Sequence, residues 1–175
     1  MKKLLSLVLL ASGLMISTNA ANAQNEDKSK RSSPPAKVTE KLKSGATISI
    51  DYSQPSVKGR TIGKDLEPME GKVWRTGANE ATVFETDKDI TVGGEKLPAG
   101  KYALFTIFNG NDVTVIFNKT ASQWGAFKYK VEDDALRIKT KATEASPAAE
   151  KLVFSINAKA VSFVWGNKKV EFPVK

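Results

Sequence analysis

Two stretches of the chain concentrate the groups that could do chemistry. Residues 51–60 carry Asp51, Tyr52, Gln54, Lys58 and Arg60, and residues 73–82 carry Trp74, Arg75, Asn79 and Glu80. Each mixes aromatic, hydrogen-bonding and cationic side chains around a glycine, Gly59 in the first and Gly77 in the second. Arginine is scarce, with four against 23 lysines, and two of the four fall in these stretches. A guanidinium offers a rigid fork of donors that fits carboxylate, sulfate or phosphate and stacks on aromatic rings. Tyr52, Gln54, Arg60, Trp74, Arg75, Asn79 and Glu80 therefore form the candidate set for holding a sugar or a small anion. A purely structural reading stands beside it. Trp74 would then be core, Arg75 would pair with Glu80 or another acid, and Gly77 and Asn79 would serve a turn. A further aromatic platform lies at Gln123, Trp124 and Gly125, where Trp124 reads better as a core residue than as a cleft wall.

The missing residue types narrow the chemistry. The chain has no histidine and no cysteine. The usual general base near neutral pH is absent, a Ser-His-Asp triad cannot be built, and no thiol nucleophile exists. Standard zinc sites lack their ligands. No phosphate loop or twelve-residue calcium loop occurs, so no metal and no cofactor is expected. Carboxylate chemistry remains open. A glycan hydrolase would use Glu80 with Asp51 or Glu85 across a cleft.

The N-terminus sets the expected compartment. Lys2 and Lys3 precede an apolar run over residues 4–16, and a polar stretch ends in Ala21, Asn22 and Ala23. That is the layout of a secretory signal peptide cleaved near Ala23, and the run is shorter than the ~20 residues of a spanning helix. The reading is a signal peptide at 1–23, a flexible polar leader at 24–35 and one domain at 36–175, in the periplasm or outside the cell and without a transmembrane segment once processed. Without cysteine, such a domain has no disulfides and relies on its core. About 140 residues suffice for that. Losing Lys2 and Lys3 lowers the formal charge from +8 to +6. The lysines are interspersed with acids, which argues for solvated faces rather than nucleic-acid binding.

The elements that must position these groups read as strands. Alternation of apolar and polar residues marks residues 47–52, 135–141, 152–156, 161–165 and 170–174 as half-buried. Residues 101–108 and 113–117 are apolar on both faces and belong at the centre of a sheet, covered on both sides. Gly93 and Gly94, residues 98–100, residues 109–112, and Gly166 with Asn167 supply turn signals. Pro173 places the last strand at an edge. Residues 122–129 and 144–151 are the places for a short helical turn. The sum is an all-β fold of about nine or ten strands with little helix, a two-sheet antiparallel sandwich or jelly-roll-like arrangement, with a closed barrel as the alternative.

The runs over residues 52–60, 73–82, 97–102, 115–119 and 123–125 are long and specific. In them the chain resembles an uncharacterised family of exported proteins of Bacteroidetes-type bacteria, catalogued as domain of unknown function 2911. The resemblance extends from about Ser33 to the C-terminus. It implies an envelope or secreted setting and brings no activity, cofactor or catalytic residue. The leading expectation is a non-catalytic exported β domain that binds an envelope glycan or a small anion. A carboxylate-based glycan hydrolase and a structural or assembly protein of the envelope are the rivals.

Overall fold

The computed structural model describes residues 27–175. Among the described residues ten strands form two antiparallel sheets. The strands are β1 (Pro35–Lys41), β2 (Thr47–Ser53), β3 (Val73–Trp74), β4 (Thr82–Thr86), β5 (Ile90–Val92), β6 (Glu95–Leu97), β7 (Gly100–Asn109), β8 (Asp112–Asn118), β9 (Asp134–Ile156) and β10 (Ala160–Pro173). The main sheet has the order β1-β2-β4-β7-β8-β9-β10, with β3 also paired to β7. The β5–β6 hairpin is the second sheet. Among the described residues, helix is confined to two single 3-10 turns, at Lys28–Lys30 and Val131–Asp133. Among the described residues no helix is long and apolar enough to cross a membrane.

The main sheet curls into a half-barrel. The curl brings the segment after β2 against β9, where Ser56 and Lys151 form an antiparallel bridge. Val57 N–H donates to Glu150 O at 2.8 Å, and Leu152 N–H donates to Pro55 O at 3.1 Å. Curling gives the sheet an inner face, and the alternating apolar positions all point into it. Ile48, Ile50, Phe84, Leu104, Val115, Phe117, Leu152, Phe163 and Phe172 are fully buried there in one cluster. Edge-to-face ring pairs lock the layers. The Phe84 and Phe117 centroids are 5.0 Å apart, and those of Phe117 and Phe172 are 6.0 Å apart.

The central hairpin β7–β8 is buried on its outer face as well, as its two-sided apolar sequence requires. Ala103, Phe105 and Ile116 form an outer cluster with Ala81, and Ala126 and Tyr129 pack onto it. Ala126 and Tyr129 belong to the loop after β8, which is the cover. The Tyr129 ring stands edge-on to Phe105 at 5.1 Å. Its hydroxyl donates to Asp134 Oδ2 at 2.7 Å, where Arg137 Nε also donates at 2.6 Å. Burial, reinforced by the Asp134 carboxylate, pushes the Tyr129 phenol up to about 12.

Three local expectations are corrected. Residues 144–151 are strand, because Glu144 and Ala149 pair with Lys168 and Gly166 of β10; a long ladder outweighs local helix preference. Residues 122–129 form turns, and Gly125 at φ +64 stops a helix. Gly166 and Asn167 do not close a hairpin but lie inside β10, where the pairing with β9 shifts register. The hairpin turn is at 157–159, where Asn157 Oδ1 accepts from the amides of Lys159 and Ala160, both at 2.9 Å. An asparagine that mimics a backbone turn gives no glycine or proline signal. Pro173 sits on β10 at the end of the strand order, and its carbonyl accepts from Gly93 N–H at 2.9 Å.

If the outer cluster is as firmly packed as the inner one, Phe105→Ala and Phe117→Ala should each cost about 3–5 kcal/mol. Urea denaturation measures both. A cost below about 1 kcal/mol for Phe105→Ala alone would show that the outer cover is not packed.

Candidate functional site

An open groove of about 720 Å³ runs over the outer face of the sheet. Its floor is the outward row of β2, β4 and β7, which mixes charged side chains with Val83. Asp51, Val83, Glu85 and Lys101 lie there. They face outward because Ile50, Tyr52 and Phe84, one residue away, face the core. One wall is the turn around Lys28 and Arg31; the other holds Gln123, Trp124 and Lys128.

The second wall is fixed by the 73–82 stretch. Ala81 N–H donates to Gln123 O at 2.9 Å, and Gly125 N–H donates to Asn79 O at 3.0 Å, so Glu80 and Trp124 form an antiparallel bridge. The chain reaches this geometry through a tight turn after β3. Thr76 and Asn79 adopt φ of +50 and +56, a region that β-branched threonine rarely visits. Thr76 is held there by Thr106, their hydroxyl oxygens 3.1 Å apart, and by Thr82 Oγ1, which donates to Thr76 O at 2.8 Å. Gly77 is needed because a Cβ would lie 2.8 Å from Thr82 Oγ1 and 3.2 Å from Ser53 O.

The candidate residues separate into two groups. Glu80 and Tyr52 border the groove. The Tyr52 ring itself is core, 4.8 Å from Phe154, and its hydroxyl accepts from Phe154 N–H at 3.3 Å. Trp74 is buried and donates to Gly77 O at 3.0 Å. Gln54 donates to Leu152 O at 2.9 Å, which ties β2 to β9. Arg60 donates to the carbonyls of Val57 and Ser56 at 3.1 and 2.7 Å and closes its own loop. Asn79 donates to Ser33 O at 3.0 Å. No ion pair joins Arg75 to Glu80. Glu80 instead receives Arg31 Nη1 at 2.9 Å and Lys28 Nζ at 3.0 Å.

Two wall residues were misjudged from the sequence. Trp124 is 55% exposed rather than core, because the bridge to Glu80 holds its loop on the outer side of the sheet. Arg31 lies in the segment read as a flexible leader, yet its guanidinium stands 5.9 Å from the centre of the Trp124 ring. Arginine scarcity, which singled out Arg60 and Arg75, applied equally to Arg31. Residues 1–26, which hold the expected signal peptide, lie outside the described residues.

Charge in the groove is nearly balanced. Asp51 accepts from Lys37 Nζ at 3.0 Å, and Glu85 pairs with Lys101 Nζ at 3.2 Å. Burial pushes the Glu80 carboxyl up, but a backbone hydrogen bond and the contacts from Lys28 and Arg31 outweigh it. They hold it at about 2, against an ordinary 4.5. Among the described residues no group of three or more metal-ligating side chains could hold an ion.

Residues 33–174 match the family model described as protein of unknown function, DUF2911. The chain belongs to that family. No curated protein and no solved structure matches it. In this DUF2911 chain the two long family-like runs, 73–82 and 123–125, thus make one structural unit. Each supplies the backbone partners of the other.

The Glu80 contacts make the attachment of residues 27–34 dependent on pH. Its carboxyl titrates lower when folded than when free, so the contribution is complete above pH 4.5 and fades as pH falls toward about 2. Glu80→Gln should flatten the fall in Tm between those limits and speed tryptic cleavage after Arg31 at neutral pH. Equal cleavage rates and equal pH profiles would contradict the attachment.

Proposed function

We propose that this DUF2911 domain is an exported, non-catalytic module that binds a glycan of the cell envelope in the groove between Arg31 and Trp124. The observation that carries the reading is the exposed Trp124 ring, fixed in place beside a floor of paired charges around Val83. An aromatic face flanked by carboxylates, ammonium groups and a guanidinium matches a sugar, which offers a C–H face and a rim of hydroxyls. A floor in which Asp51, Glu80 and Glu85 each hold a cation favours a neutral polar ligand over a free anion. The signal-peptide-like N-terminus supports the envelope setting.

The hydrolase reading has less behind it. A glycosidase acid needs a carboxyl raised toward neutrality, whereas the salt-bridged Glu80 is held near 2 and stays ionised.

The protein beginning at Gln24 should show saturable changes in tryptophan fluorescence with at least one member of an envelope-glycan panel. Trp124→Ala should weaken that binding about tenfold or more, the equivalent of ~1.4 kcal/mol, without lowering Tm. Trp74→Ala should instead cost about 3–5 kcal/mol of stability. If no glycan changes fluorescence or Tm, or if Trp124→Ala binds as well as the parent, the groove is not a glycan site.

A further inference from the structure

The two extremes of the strand order, β1 and β10, do not pair with each other. Residues next to both line an open hollow of about 500 Å³. That volume falls within the ~300–1,000 Å³ usual for a small-molecule site. The floor is apolar. Leu42, just after β1, and Val174, just after β10, are buried members of the inner core cluster. Ala158 of the β9–β10 turn and Pro173 add apolar wall.

The backbone that builds these walls is already satisfied. Leu42 N–H donates to Ala46 O at 2.8 Å, and Leu42 O accepts from Gly45 N–H at 2.9 Å. Lys159 O accepts from Val174 N–H at 2.8 Å, and Lys175 exchanges both its backbone bonds with Thr91 at 2.9 Å. These groups fix the shape and call for no polar partner in a ligand. What remains around the apolar floor is cationic. Lys43, Lys159 and Lys175 are exposed at the rim. Among the described residues none of their ammonium groups has a hydrogen bond or an ion pair. Asp87, at the foot of the β1–β2 turn, is already engaged, accepting from Thr47 N–H at 2.6 Å. An apolar hollow rimmed by unpaired cations complements a molecule with an apolar body and one anionic end.

We propose that this hollow binds the acyl chain of a free fatty acid, with the carboxylate at the mouth against Lys43 and Lys159. The chain takes the exposed part of the floor out of water, and the two ammonium groups receive the charge. The hollow shares no lining residue with the groove beside Trp124, so its occupancy is independent of glycan binding there.

The folded protein beginning at Gln24 is titrated with decanoate, decanol, decyltrimethylammonium and acetate, each below its micellar concentration, and followed by amide NMR. The Leu42, Ala158 and Val174 signals should shift saturably with decanoate, more weakly with decanol, and not with acetate or the cation. Hexanoate should bind at least about tenfold more weakly than decanoate, because its shorter chain leaves part of the floor wet. Lys43→Gln combined with Lys159→Gln changes two exposed side chains and should weaken decanoate about tenfold while leaving decanol unchanged. Phosphatidylglycerol vesicles, in a sedimentation assay, test the other source of an anionic head on an acyl chain. Sedimentation with vesicles without a saturable shift by decanoate would overturn the proposal in favour of a membrane surface. No saturable shift with any probe, equal shifts with acetate or the cation, or undiminished decanoate binding by the folded double variant would overturn it as well.

Discussion

A central hairpin that is apolar on both faces constrains everything else. The side chains of β7 and β8 fill the inside of the curled sheet, yet Phe105 and Ile116 leave apolar surface on the outside. That surface must be covered, at a gain of roughly 1.5–3 kcal/mol per large side chain. The cover is the loop between β8 and β9, pinned by Tyr129 on Phe105 and by the Asp134 network at its end. A loop placed for packing also stands above the polar outer rows of β2 and β4, and so becomes the wall of a groove. The groove is a by-product of the double burial, and Trp124 and Gly125 are where the cover meets the 73–82 turn.

Electrostatics shape the same region without holding it together. The pairs on the floor are exposed ion pairs, each worth ~0–1 kcal/mol. Their consequence is local: they neutralise the charge of the floor. Glu80 differs because it gathers two cations from one short segment, which brings Arg31 to the Trp124 ring. Arg75 has no such acid, although Glu80 lies only five positions further along the chain.

Much of the fold was legible in the sequence. Period-two alternation located β2, both ends of β9 and both ends of β10, and the two-sided apolar runs marked β7 and β8 as central. The turn at 157–159 was not legible, because Asn157 works through its side chain. Nor was the strand at 144–151, where pairing with β10 decides the conformation. The candidate residues were harder for a physical reason. Trp74, Gln54 and Arg60 combine an apolar body with donors, which suits a ligand and a backbone carbonyl equally well. In this fold their donors meet the carbonyls of Gly77, Leu152 and Ser56. Trp124 looked like core by type and became wall by topology. Lys28 and Arg31 sat in a polar stretch whose composition gave no hint that Glu80, some fifty positions away, would gather them.

Native-state hydrogen exchange measures most directly whether the cover loop is a fixed wall. The amides of Ala81 and Gly125, which bond across the junction to Gln123 and Asn79, should exchange together and at least ~10³-fold slower than unstructured amides, an opening cost of ~4 kcal/mol. Exchange of these two amides at the rate of an open chain, while β7 and β8 stay protected, would mean that the cover is loose. The outer face would then hold no preformed groove.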